Sequence, residues 1–194
     1  LDVSNWDTSN VSSMDSTFSG CSSLVSIDVS KWDTSHVYAA NGVFKGCSRL
    51  SAIDFSGWNT NGFESVYELL SGCTNLRTIT FGDGFIAPSG TETGYLRKDM
   101  FPTPLMTVSD HDSNGKWGFG SEMASTTYTP DELAEHATTA KAMTGTWYAQ
   151  MNGVTVTLDP NGGGGTPIVI TLPKGKATPI PDPTGTDPRL PFKG

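Results

Sequence analysis

The residues best suited to chemistry form a short acidic stretch in the middle of the chain. Asp110, Asp112 and Asn114 have the alternating spacing of the first half of an EF-hand calcium loop. Such a loop needs a bidentate Glu at its twelfth position, where this chain has Ser121. The pattern therefore favours a solvated turn, and a calcium site is the alternative.

Patterns that identify catalytic sites are missing from this sequence. The three histidines do not form the H-E-x-x-H pair of zinc proteases, and no serine lies in a G-x-S-x-G elbow. The glycine run at 162–165 lacks the Gly-Lys-Ser/Thr ending of a phosphate-binding loop, so a hairpin turn explains it. We therefore predict a protein that is not an enzyme and that needs no cofactor.

Cysteine occurs three times at a constant spacing, at Cys21, Cys47 and Cys73. We expect a ladder of buried, reduced thiols, because a free cysteine is small and readily buried. A disulfide between adjacent copies is the alternative, and it would leave one thiol unpaired because the count is odd. Zinc needs several clustered Cys or His ligands, and His36 is the only histidine in this part of the sequence, so no metal is favoured.

The 26-residue step between the cysteines also separates aliphatic and aromatic residues. We call each set of residues at this spacing a column. The tryptophan column comprises Trp6, Trp32 and Trp58, and the aliphatic column comprises Leu1, Ile27, Ile53 and Ile79. A fixed period of this length predicts stacked units, none of which can bury its apolar face alone. We expect the tryptophans to stack between neighbouring units, with exposed ligand platforms as the alternative. Asp7 and Asp33 follow a tryptophan and are expected to hold Asx turns.

Each copy also contains the L-x-x-L-x-L spacing of leucine-rich repeats, as in Leu24-x-x-Ile27-x-Val29. The end of this spacing alternates, which predicts a short strand with Ile27 and Val29 pointing inward. Strands from successive copies would form a parallel sheet with a polar outer face. The candidate ligand-facing residues are the outward positions Ser26, Asp28, Ser30, Ala52, Asp54, Ser56, Thr78 and Thr80.

Residues 1–24 resemble the repeats of the BspA-type leucine-rich surface proteins of bacteria, in the Mycoplasma-lipoprotein-associated version. The family signature is similar to "LDVSNWDTSNVTNMSYMFSGCSSL", which this segment matches nearly letter for letter. Later copies depart from it at 38–41 and where Leu70 replaces the Phe of the signature. The resemblance implies a surface-exposed or secreted protein, often an adhesin, and no catalytic residues.

The expected fold is mainly β with short helices. It consists of a leucine-rich-repeat-like solenoid of 26-residue coils over 1–81, a C-terminal cap with one short helix over 82–152, and a partial β-rich module over 153–194. The period is lost after Phe81, and a terminal unit needs a different outer face. The helix of the cap should begin with Thr129 as N-cap, Pro130 at the first position and Glu132 completing a capping box. It should pack on the last coil and end near Met143.

Two strand patterns, 154–158 and 168–172, flank a glycine-rich turn. Together with the ending Phe192-Lys193-Gly194, they resemble the Listeria–Bacteroides repeat, also called the internalin B-type repeat. That family implies a β-rich spacer or adhesion module. Leu190-Pro191 stands where the family has an aromatic pair, and the sequence stops where the family has a Trp, so we expect an incomplete module.

The charge and hydropathy of the chain indicate which kinds of partner it can have. The net charge of −8 argues against nucleic acid, and no apolar run approaches the ~20 residues of a membrane helix. Because the period is already running at Leu1, we expect a fragment of a longer bacterial protein that is secreted or at the cell surface. The expected function is adhesion or ligand binding through the repeats, to a host or neighbouring-cell surface protein or glycan. The alternative is a structural stalk that displays a binding domain located elsewhere.

Overall fold

A computed structural model describes residues 1–88, 99–104, 107–108, 111–158 and 168–174. One helix, α1, and eight strands are found in these ranges. They are β1 (Ala52–Phe55), β2 (Thr78–Phe81), β3 (Thr107–Val108), β4 (His111–Phe119), β5 (Thr127–Tyr128), α1 (Pro130–His136), β6 (Gly145–Met151), β7 (Gly153–Leu158) and β8 (Ile168–Pro173). We call residues 1–81 the periodic segment and residues 82–152 the aperiodic segment.

Six of these strands form one mixed sheet, in the order β1-β2-β6-β4-β3, with β5 paired to β4. The strands β1 and β2 are parallel, and their register follows the period, so that Ile53 lies beside Ile79. The next position is taken by β6, which runs antiparallel to β2 and places Trp147 beside Ile79. The sheet therefore continues from the periodic into the aperiodic segment, and a single apolar cluster extends from Val3 to Ala149.

The predicted fold class, a solenoid of leucine-rich-type coils, is wrong. The described residues form a mixed sheet, a separate two-stranded sheet and one short helix, and the first two copies of the period contain no strand. Ile27 and Val29 are buried as expected, but no ladder joins their copy to the next. A strand also needs backbone partners in register, and in the periodic segment only β1 and β2 have them.

The 26-residue step nevertheless governs contacts between copies. Isolated parallel bridges join Ser13 to Ala39 and Ala39 to Ser65. Single backbone hydrogen bonds reinforce them, for instance from the N–H of Phe18 to the carbonyl of Val43 at 2.8 Å. Equivalent residues therefore lie above one another even where no regular strand is formed.

The tryptophan column is stacked, which confirms the expectation from the sequence. The ring of Trp32 lies 5.8 Å from that of Trp6, with an interplanar angle of 9°. It lies 6.5 Å from that of Trp58, with an angle of 11°. Phe18 and Phe44 stack in the same way at 5.5 Å. Aromatic side chains thus form part of the interior of the periodic segment, together with aliphatic side chains.

The helix α1 begins as the sequence predicts. Thr129 accepts a hydrogen bond from the N–H of Glu132, whose side chain accepts one from the N–H of Thr129, so the capping box is complete. Leu133 and Ala137 are buried in the main cluster. The carbonyl of Ala137, just after the helix, accepts a hydrogen bond from the N–H of Ala87, in the stretch that follows the periodic segment. The helix ends at His136, however, well before Met143.

The hairpin expected near the C-terminus is also formed. The strands β7 and β8 pair antiparallel from Gly153 beside Pro173 to Leu158 beside Ile168. They make a two-stranded sheet of their own. No helix in the described ranges is long and apolar enough to cross a membrane.

Candidate functional site

The first candidate surface is the row of aspartates in the predicted ligand face. Each of Asp2, Asp28 and Asp54 accepts a hydrogen bond from the backbone N–H two positions later, through Oδ1, at 3.0, 3.0 and 2.8 Å. These are Asx turns, which the sequence predicted only for the aspartates after tryptophan. The spacing Asp-x-Ser, present in the first three copies, is the signal that could have identified them.

A second row of Asx turns follows the tryptophans, as predicted. Asp7 and Asp33 accept hydrogen bonds from the N–H groups of Ser9 and Ser35 at 3.1 and 2.9 Å. The serine hydroxyls donate to the same oxygens at 2.7 and 2.6 Å.

The hydroxyl and amide donors in these turns stabilise the charged form of the carboxylates. Hydrogen bonds from the side chain and then the backbone of the following serine lower the pKa of Asp2, Asp7, Asp28 and Asp33 below its ordinary value. These four carboxylates are therefore ionised at neutral pH. We call the two rows of turns the Asx rows.

The remaining predicted ligand-facing residues differ in exposure. Ser26, Ala52 and Ser56 are exposed, whereas Ser30, Asp54, Thr78 and Thr80 are partly buried. Thr80 lies in β2, beside β6, and its hydroxyl is 3.1 Å from that of Thr146. The polar face therefore ends at β2, because β6 occupies the next position in the sheet.

The three cysteines are free thiols, as expected, but only two are buried. The thiol of Cys47 donates to the carbonyl of Phe18 at 3.2 Å, and that of Cys73 donates to the carbonyl of Phe44 at 3.0 Å. Both acceptors belong to the preceding copy of the period, whereas Cys21 is exposed. The contact with Cys47 and burial raise the pKa of Cys73, which keeps that thiol protonated.

The predicted calcium loop has a different structure. Asp110 lies outside the described residues, and the backbone of Asp112 pairs with Thr107 in the β3–β4 ladder. Asn114 is exposed and accepts a hydrogen bond from the N–H of Lys116 at 3.0 Å. Residues 111–119 belong to the strand β4, but the register shifts between Ser113 and Trp117, so the expected turn survives as an exposed irregularity within the strand. Among the described residues, no cluster of three His, Cys, Asp or Glu side chains could hold a metal ion.

A groove in the aperiodic segment is a feature that no sequence pattern predicts. It has a volume of about 520 Å³ and lies between the end of β4, the loop 120–126, β5, α1 and β6. Trp147 forms its floor, and the rings of Tyr128 and His136 stack on one another at 5.0 Å along one wall. Phe119 lies at the other side, with its ring 5.6 Å from that of Trp147. We call these residues the aromatic groove.

The loop that closes the groove is held by a buried side chain. The oxygen of the Gln150 amide accepts from the N–H of Ala124 at 2.8 Å, and its nitrogen donates to the carbonyls of Ser121 and Tyr148 at 2.7 and 3.0 Å. Gln150 is only 1% exposed. No short sequence motif marks the groove, because its walls come from residues spread between 119 and 147.

A comparison with known families locates the similarity in the periodic segment. The model of a family described as "Mycoplasma protein of unknown function, DUF285" matches residues 1–80. This is the region that carries the 26-residue step, and the match does not reach the part that resembles the Listeria–Bacteroides repeat. No curated protein and no solved structure matches the chain.

Proposed function

We propose that the chain is a non-enzymatic part of a bacterial cell-surface protein, and that the Asx rows contact a ligand on a host or neighbouring cell. The surface location follows from the resemblance of residues 1–24 to the BspA-type repeats. The Asx rows supply the binding chemistry, which consists of repeated, ionised carboxylates on an exposed surface.

The observation that carries this proposal is the repetition of one turn geometry. Asp7 and Asp33 hold their serines through the same two hydrogen bonds, although they lie one full period apart in the sequence. Both hydrogen bonds reach Oδ1, which leaves Oδ2 as the oxygen that faces a ligand. The turns hold the carboxylates in place before binding, so a ligand does not have to order them.

The charge of these rows defines the kind of ligand. Ionised carboxylates accept hydrogen bonds from the hydroxyl and amide groups of a protein or neutral glycan, and they repel sulfated or sialylated chains. Each contact is weak in water, so useful affinity needs several copies of the turn acting together.

The test is binding of the full chain to immobilised mucin, matrix proteins and neutral glycans. Asp28→Lys reverses one charge in a row, and Glu64→Lys makes the same change at another exposed position of the periodic segment. We expect Asp28→Lys to reduce binding and Glu64→Lys to leave it unchanged. Equal binding by both variants would show that the Asx rows are not the contact surface.

A structural stalk is the second candidate function. It is favoured by the position of the aromatic rings, since Trp32 and Trp58 are buried and the predicted ligand face has no aromatic residue. Binding hot spots are enriched in Trp, Tyr and Arg. If neither the full chain nor its Asp28→Lys variant bound any of the surfaces, while the folded state persisted, the stalk would be the better account.

A further inference from the structure

The aromatic groove has the size and composition of a small-ligand site. Its volume of about 520 Å³ falls within the range of roughly 300–1,000 Å³ that is typical of such sites. Its lining combines aromatic rings with hydroxyl side chains, among them Ser121, Ser125 and Thr126. From these features we infer that the aromatic groove binds a neutral pyranose unit of a glycan.

An exposed aromatic ring is held in place at the mouth of the groove. Phe119 is 55% exposed, yet its ring packs against Gly145, where an added Cβ would lie 2.5 Å from a ring carbon. The same ring meets Trp147 edge-on, with an interplanar angle of 64°. A fixed, solvent-facing ring offers a flat apolar surface. The face of a pyranose that carries C–H groups can pack on such a surface without losing hydrogen bonds.

The polar part of the lining consists of hydroxyl groups and the imidazole of His136. The described residues that line the groove include no Asp, Glu, Lys or Arg, and their polar groups are mainly the hydroxyls of Ser and Thr. Hydroxyls both donate and accept hydrogen bonds, as the hydroxyls of a sugar do. Glu132 and Glu135 border the outer side of Tyr128 and His136. An anionic sugar would be repelled there, so the charges select a neutral one.

The walls of the groove are ordered before any ligand arrives. Gln150 connects Ala124 and Ser121 to the sheet through three hydrogen bonds. The capping box of Thr129 and Glu132 fixes the start of α1, which carries His136. Preorganised walls reduce the entropy lost on binding. The site lies outside the Asx rows and does not depend on the function proposed for them.

The experiment measures binding to the full chain by calorimetry and by the fluorescence of Trp147 and the other tryptophans. The probes are cellohexaose as the neutral glycan, a hexamer of galacturonic acid as its anionic counterpart, and a proline-rich peptide of comparable length. We expect saturable binding of cellohexaose alone. Phe119→Ala should weaken it about tenfold or more, because the flat face is lost. Phe119→Tyr keeps the ring and should retain binding.

The matched control is Tyr38→Ala, which removes an equally exposed ring from the periodic segment. It should leave the affinity for cellohexaose unchanged, and the far-ultraviolet circular dichroism of both alanine variants should equal that of the parent chain. Absence of saturable cellohexaose binding, equal affinity of Phe119→Ala, or tighter binding of either other probe would overturn the inference. Asp28→Lys tests the Asx rows separately, since it leaves the groove intact.

Discussion

The periodic and aperiodic segments arrange their aromatic residues differently, although both bury tryptophan side chains. In the periodic segment the rings stack along the interior, and the surface carries short polar side chains such as those of Asp28 and Ser30. In the aperiodic segment Trp147 lies under an open groove, and Phe119 is exposed at its edge. The first arrangement stabilises stacked copies, and the second leaves the ring of Phe119 available to a ligand.

This difference follows from what each segment must satisfy. A repeated copy must fit the copy before it and the copy after it. Its large side chains therefore pack between neighbouring copies. The aperiodic segment meets the last copy on one side only, through the pairing of β6 with β2. Its other elements are free to shape a concave surface. The periodic segment therefore exposes turns with repeated carboxylates, whereas the aperiodic segment forms a single groove.

The largest expected effect comes from removing a buried ring of the stack. Trp58 is 1% exposed, and its Nε1 donates to the carbonyl of Val29 at 3.1 Å. Trp58→Ala should lower the free energy of unfolding by about 3–5 kcal/mol, as measured by urea denaturation. Trp6→Ala removes a ring that is 49% exposed and should cost less than half as much. Equal losses would contradict the assignment of the stack as the interior.

A second pair of variants separates the hydrogen bond from the packing. The Nε1 atom of Trp32 is buried without a hydrogen-bond partner, unlike that of Trp58. Trp58→Phe should therefore cost about 0.5–1.5 kcal/mol more than Trp32→Phe in the same urea titration. Equal costs would show that the bond to Val29 contributes nothing to stability.

An intermediate loss of stability is expected when Gln150, which anchors the loop beside the aromatic groove, is replaced. Gln150→Ala leaves the N–H of Ala124 and the carbonyl of Ser121 without their partner, which should cost about 1–3 kcal/mol of unfolding free energy. Lys45→Ala breaks the ion pair with Glu68 at 2.8 Å on the surface of the periodic segment and should cost at most about 1 kcal/mol. A larger loss from Lys45→Ala would reverse the comparison between buried and surface polar contacts.

The smallest effect is a loss of stability in acid, which the Asx rows should cause. Hydrogen bonds from the serines hold the pKa of Asp28 and Asp33 below the ordinary value of 3.8 in the folded state. The unfolded state therefore binds more protons as the pH falls through 3.8, and the stabilisation present above that pH is lost below it. Urea midpoints measured from pH 6 to pH 2.5 should decline in this window. The double variant Ser30→Ala, Ser35→Ala should show a shallower decline, and an unchanged slope would refute the assignment.

Much of the local structure could be predicted from the sequence. The stacking of Trp6 and Trp32, the turns after them and the capping box at Thr129 all depend on residues close in sequence or related by the period. The strand predicted around Ile27 failed, although its apolar positions are buried. Alternation predicts which side chains point inward, but a strand also requires backbone partners in register.

The groove shows the limit of prediction for the site. Nothing near Trp147 in the sequence distinguishes it from Trp117, which is buried away from the groove. What makes Trp147 a floor is the approach of Phe119 and Tyr128 from β4 and β5. Motifs cannot report an arrangement whose members come from four separate elements.

The sequence by itself determined the 26-residue step, the turns that begin with Asp and the start of α1. The step follows from similar residues at equivalent positions of successive copies, and the turns and the helix start depend on hydrogen bonds between residues close in the sequence. Only the tertiary structure decided that β6 would take the position beside β2, which joins Thr80 to the distant Thr146. The same pairing decided where the polar face ends, and the pairing of β4 with β6 placed Phe119 beside Trp147. Such choices depend on which strand edge is open and on what can cover it, and these are properties of the assembled sheet rather than of any local stretch.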